Sequence, residues 1–135
     1  KSSKKLYKKI NEMKIINTAK MPQPAGHYST VIEHNGILYI SGQLPLDPIT
    51  RKKPETFQEE ALLVFNKLDT ILNEAGSSKN NILQIRIYLS NIDLWPTLNE
   101  LYANFFADHK PARIVIPSPA LHYNCSIEIE ATAFV

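Results

Sequence analysis

Two residues of this 135-residue chain have the chemistry to handle a small charged molecule: Arg113, in Lys110-Pro111-Ala112-Arg113, and Glu128, in Ile127-Glu128-Ile129-Glu130-Ala131. A guanidinium can hold a carboxylate in a bidentate fork. A glutamate beside it can take a proton or hold a water. Read alone, such a pair is more often a structural salt bridge between neighbouring strands, because structural ion pairs use the same residue types. The elements that carry it have to decide.

Those elements follow from the spacing of apolar residues. Asn35-Gly36 is a hairpin signal joining strands at His27–His34 and Ile37–Ser41. Thr56-Phe57-Gln58-Glu59 reads as a capping box that opens a helix, and Gly76 closes it. Its inward face is Ala61, Val64, Phe65, Leu68, Ile71, Leu72 and Ala75. Residues 82–90 alternate as a strand, with Ile85, Ile87 and Leu89 on one side. Asp93 is the expected cap of a second helix, with Pro96 in its first turn and Leu94, Leu98, Leu101, Phe105 and Phe106 turned inward. Strands at Arg113–Ile116 and Ile127–Val135 end the chain, and a short one near Lys14–Asn17 begins it.

The order β-β-β-α-β-α-β-β predicts an α+β sandwich, a mixed sheet of about six strands with two helices on one face. The other face would hold Gln84, Arg86, Tyr88, Glu128, Glu130, Thr132 and Phe134, too aromatic for plain solvent. Burial against further copies of the chain, in a closed cyclic oligomer, is the expectation.

Composition narrows the function classes. Hydrophobic residues make up 44% and charged residues 21%, as in an ordinary globular domain, and the length suits one core. Residues 1–20 hold seven lysines against Glu12 alone, whereas the remainder holds eight Lys/Arg against twelve Asp/Glu. The body is therefore acidic, which argues against nucleic acid as a partner. Residues 1–13 read as a flexible basic extension and 14–135 as a single domain. A lone cysteine, Cys125, and the lack of an export signal suit a cytoplasmic protein, and no apolar run suggests a membrane span. His27, His34, His109 and His122 are scattered, with no metal-ligand spacing.

Five segments in order resemble the RidA family, also called YjgF/YER057c/UK114. They are Pro24-Ala25-Gly26-His27-Tyr28-Ser29, the run Tyr39–Pro48 (YISGQLPLDP), the run Leu98–Phe106 (LNELYANFF), Lys110–Arg113 and Ile127–Ala131. The resemblance covers about Ile15 to Val135. It implies a chorismate-mutase-like fold, a homotrimer with clefts between subunits, and no metal or organic cofactor. The implied activity is hydrolysis of reactive 2-enamines and 2-imines, released by pyridoxal-phosphate enzymes, to 2-oxo acids and ammonia.

On that resemblance Arg113 would clamp the substrate carboxylate and Glu128 would activate water or move the proton. Tyr28, Ser41, Gly42 and Asn99 would line the pocket. A non-catalytic trimer that senses 2-oxo acids is the alternative. A ribonuclease or translation inhibitor is a third reading that only the lysine leader favours. The chain departs from the family at His27, at Ile114-Val115 and at His122, and these positions leave the substrate range open.

Overall fold

The computed structural model describes residues 12–135. The lysine-rich leader up to residue 11, with the extension expected there, lies outside the described residues. Eight principal elements follow in order: β1 (Met13–Ile16), β2 (Val31–His34), β3 (Ile37–Gln43), α1 (Phe57–Glu74), β4 (Ile82–Leu89), α2 (Trp95–Phe106), β5 (Ala112–Pro117) and β6 (Ile127–Phe134). The strands form one sheet in the order β1-β2-β3-β6-β4-β5. Only the β4–β5 pair is parallel, and α2 provides its crossover. The expected mixed sheet and element order are both present.

Local chemistry accounts for most of the boundaries. Asn35 and Gly36 have φ of 52° and 80°, the doubly left-handed geometry of a two-residue hairpin whose twist matches its strands. The Thr56 hydroxyl accepts from the Glu59 amide at 3.2 Å and starts α1. The α1 face expected from periodicity is buried at Ala61, Val64, Phe65, Leu68, Ile71 and Leu72. It packs on Leu38, Ile85, Ile87, Ile129 and Ala133 from the sheet in one core cluster.

Several expectations need correction. The first strand is Met13–Ile16, so Met13 belongs to the sheet rather than to the leader. The second begins only at Val31, because the chain turns at Gly26, whose carbonyl accepts from the Tyr28 amide at 3.1 Å. The third runs on to Gln43 through a bulge, with Ile40 facing Ala131 and Gln43 facing Ile129. One extra residue is thereby accommodated at Ser41-Gly42.

Asp93 does not cap the second helix. The Asn91 side chain accepts from the Asp93 amide at 2.9 Å and caps a 3₁₀ turn, Ile92–Leu94, from which α2 continues without a side-chain cap. Tyr102 is buried on α2 beside Leu98 and Phe106, whereas Leu101 and Phe105 are only partly buried.

The sheet face away from the helices carries its own polar chain. Tyr88 donates to Glu130 Oε1 at 3.0 Å, Arg86 Nε lies 3.8 Å from the same oxygen, and Arg86 Nη2 donates to Gln84 at 2.9 Å. At its margins Tyr39, Ile114 and Phe134 stay exposed.

Candidate functional site

The strand order separates the two residues that could do chemistry. β4 lies between β6, which carries Glu128, and β5, which carries Arg113. Arg113 is registered with Ile85 and shares that residue's helix-facing side, whereas Glu128 is registered with Tyr88 on the opposite side. Two strand spacings across and three residues along put their Cα atoms roughly 14 Å apart. The salt bridge between neighbouring strands is therefore absent. Within one chain the pair cannot meet.

Each member instead has its own surroundings. Arg113 stands at the exposed edge of the sheet against α2. Its Nη1 donates to Asn99 Oδ1 at 3.0 Å. Its guanidinium carbon lies 4.8 Å from the Tyr102 ring centroid and 6.0 Å from that of Trp95. Trp95, Asn99 and Tyr102 recur at helical spacing, so one stripe of α2 holds the guanidinium from the side. Among the described residues no carboxylate pairs with it. Burial pushes the Tyr102 hydroxyl up to about 12, against the opposing charge of Arg113, and its Oη has no hydrogen-bond partner among the described residues.

Glu128 belongs to a second group. Gly42, in the β3 bulge, comes so close that a Cβ there would sit 2.9 Å from Glu128 Oε1. A side chain at position 42 would push this carboxylate aside. Ser41 donates through its hydroxyl to the Ser29 carbonyl at 2.6 Å, which ties the bulge to the loop carrying Tyr28. Tyr28 is exposed, and with Gly42 it lines a cavity of about 250 Å³. The Glu128 carboxyl is raised above the ordinary glutamate range by burial first and by Glu130 second, with His122 opposing. It makes no ion pair among the described residues.

Of the six residues singled out in the sequence, Arg113 and Asn99 thus form one group. Glu128, Gly42, Ser41 and Tyr28 form the other.

Sequence reasoning missed Glu60. This residue of α1 is 2% exposed, and its Oε1 accepts from the Ser126 amide at 2.8 Å. Lys53 Nζ lies 4.0 Å from its other oxygen. The bond fixes the backbone two residues before Glu128. A signal existed, because Glu60, Val64 and Leu68 share one helical face.

Comparison with known proteins follows the same lines. Residues 18–135 match the family model Ribonuc_L-PSP, described as Endoribonuclease L-PSP. A RutC family protein of Aquifex aeolicus is 42% identical over 123 residues, covering 90% of this chain and 98% of that one. The crystal structure of YyfA from Yersinia pestis, of the conserved Rid protein family, superposes with a TM-score of 0.88 at 34% identity, over 92% of this chain and 100% of YyfA. That of E. coli TdcF with bound serine superposes with a TM-score of 0.85 at 30% identity, over 90% and 98%. No helix among the described residues is long and apolar enough to cross a membrane.

Proposed function

The chain belongs to the Rid/YjgF/RutC family, and from that premise we propose that it hydrolyses 2-imino acids in clefts between the subunits of a homotrimer. The observation that carries this reading is the division of the candidate residues into two groups, each lacking what the other has. The Arg113–Asn99 group offers a cation without a carboxylate. The Glu128–Gly42–Tyr28 group offers a proton acceptor beside a cavity. A second copy brings one group against the other, and the exposed Tyr39, Ile114 and Phe134 supply apolar surface for that contact.

In the assembled cleft Arg113 grips the α-carboxylate of the imine, its plane set by Asn99 and the flanking rings. Glu128 removes a proton from a water as the water oxygen attacks the C=N carbon. The proton passes to nitrogen, the carbinolamine collapses, and ammonia leaves behind a 2-oxo acid. An imine is already activated, so positioning supplies much of the acceleration. A carboxylate raised by burial is a stronger base than one in water, which suits Glu128 to the proton transfer. The serine bound to TdcF is itself a small amino acid with an α-carboxylate, the group this clamp would recognise.

The ribonuclease activity in the family model's description is less well supported by this chain. Beyond residue 20 it holds eight Lys/Arg against twelve Asp/Glu, a poor surface for phosphate. The reading as a non-catalytic 2-oxo acid sensor uses Arg113 equally and differs only in having no need of Glu128.

The deciding assay generates 2-aminoacrylate in place with a serine dehydratase and follows pyruvate release. The protein should accelerate that release. An unchanged rate, under conditions where a family member known to be active works, rejects the enzyme. Gly42→Ala should leave the fold intact and slow turnover, because the new methyl displaces the Glu128 carboxylate rather than backbone. A displacement of about 1 Å can cost on the order of 100-fold in rate. A Gly42→Ala variant with the wild-type rate would remove this contact from the mechanism.

A further inference from the structure

The cavity beside Tyr28 and Gly42 contains a pair of cations that the proposed hydrolysis leaves unused. Arg51 and Lys67 line it along with those two residues. Lys67, on α1, donates through Nζ to the Leu44 carbonyl at 2.7 Å. Its ammonium is held below the usual lysine range by burial first and by the charge of Arg51 second. Neither cation is in an ion pair among the described residues.

One acid, Asp47, lines the same cavity, with one carboxylate oxygen taken up by its own loop. Its Oδ1 accepts from the amides of Thr50 at 2.9 Å and Ile49 at 2.8 Å. These bonds hold its carboxyl below the ordinary range, so it stays ionised and leaves the cavity with a net charge of one cation.

The loop also fixes the backbone at Arg51. The Asp47 carbonyl accepts from the Arg51 amide at 2.9 Å, and the Asp47 amide donates to the Lys52 carbonyl at 3.0 Å. Together these bonds fix Arg51 at φ +63°, a left-handed conformation where glycine would be unstrained. An arginine kept in that conformation points to a use for its side chain. Met21, Pro24, Leu46 and Pro48 line the same cavity and offer apolar wall to a short carbon chain.

We infer that the cavity takes the distal carboxylate of a dicarboxylic 2-imino or 2-oxo acid, anchored by Arg51 and Lys67. This rests on the reading of the cleft as a carboxylate site. Gly42 connects the two, since it lines the cavity and also lies against the Glu128 carboxylate. A four- or five-carbon diacid would then lie with its reacting carbon near Glu128, its α-carboxylate on the partner copy's clamp and its second carboxylate between the two cations.

The test is calorimetric titration of the full chain with 2-oxoglutarate and, separately, 2-oxobutanoate. 2-Oxoglutarate should bind at least about tenfold more tightly, tenfold being about 1.4 kcal/mol. Arg51→Gly and Lys67→Met should each reduce that ratio severalfold, and together bring it near one. Arg51→Gly relieves the left-handed conformation, so its melting temperature should not fall and misfolding is kept out of the result. Equal affinity for the two acids overturns the inference and leaves the carboxylate site standing. So does a preference that survives both substitutions. If neither acid binds, the carboxylate reading falls as well.

Discussion

Arg113→Ala should abolish 2-oxo acid binding and imine hydrolysis while leaving the fold and the oligomer unchanged. The guanidinium is the cation of its group, and a bidentate charge-assisted contact with a carboxylate contributes about 1.5–3 kcal/mol per hydrogen bond. Losing the fork should weaken binding of 2-oxobutanoate by at least about 100-fold. Turnover should fall further, because an unclamped imine no longer presents its carbon to the water. The stability cost should be small. Arg113 sits at a sheet edge, and among the described residues its side chain makes one hydrogen bond, to Asn99. Arg113→Lys should recover charge but not geometry, because an ammonium cannot reproduce the fork. Calorimetry, the pyruvate assay and a thermal melt separate these effects. A fully active Arg113→Ala variant would remove the clamp from the mechanism.

The fold was legible wherever a period or a turn wrote it locally. Strand alternation gave the buried Ile85, Ile87, Leu89, Ile127, Ile129 and Ala131, and the helical period gave the inner face of α1. Asn35-Gly36 named its own turn. Errors appeared where two local signals competed. Asn91 and Asp93 are both capping residues two apart, and the 3₁₀ turn between them lets the earlier one take the amide of the later.

The candidate residues could be picked out one by one, but their arrangement could not. Nothing in the local pattern says that β6 inserts between β3 and β4 and leaves β5 at the edge. That non-local choice puts β4 between Arg113 and Glu128, and the register sets them on opposite faces. Tyr102 and Trp95 stood at the right helical spacing beside Asn99, but only the placement of β5 under α2 turns that stripe into a cradle for a guanidinium. Glu60 was passed over because a charged residue is ordinarily counted as solvated. Its burial follows from a bond to a backbone amide 66 residues away.

Glu128→Gln should retain 2-oxo acid binding and lose about 10²–10⁴ in turnover, the usual contribution of a positioned base. The pH dependence sharpens this. Burial and Glu130 raise the Glu128 carboxyl, and a base must be ionised to act. The acid limb of kcat/KM should therefore lie above the ordinary glutamate value of 4.5, with activity lost as pH falls through it. The linked effect on stability has the opposite sense. A raised folded-state value means that the folded form holds its proton more tightly, so that contribution is present at low pH and lost as pH rises through the raised value. Glu128→Gln removes this contribution, and its melting temperature relative to wild type should rise as pH climbs from 4.5 through the raised value. Unchanged turnover would take Glu128 out of the chemistry and leave the sensor reading. Mixing decides where the cleft lies. Arg113→Ala and Glu128→Gln chains assembled together restore an intact cleft only where a chain that keeps Arg113 meets one that keeps Glu128. Random assembly in a head-to-tail ring should recover about a quarter of the wild-type rate. A site contained in one chain would recover none, and the 14 Å separation, roughly, across β4 is the reason to expect recovery.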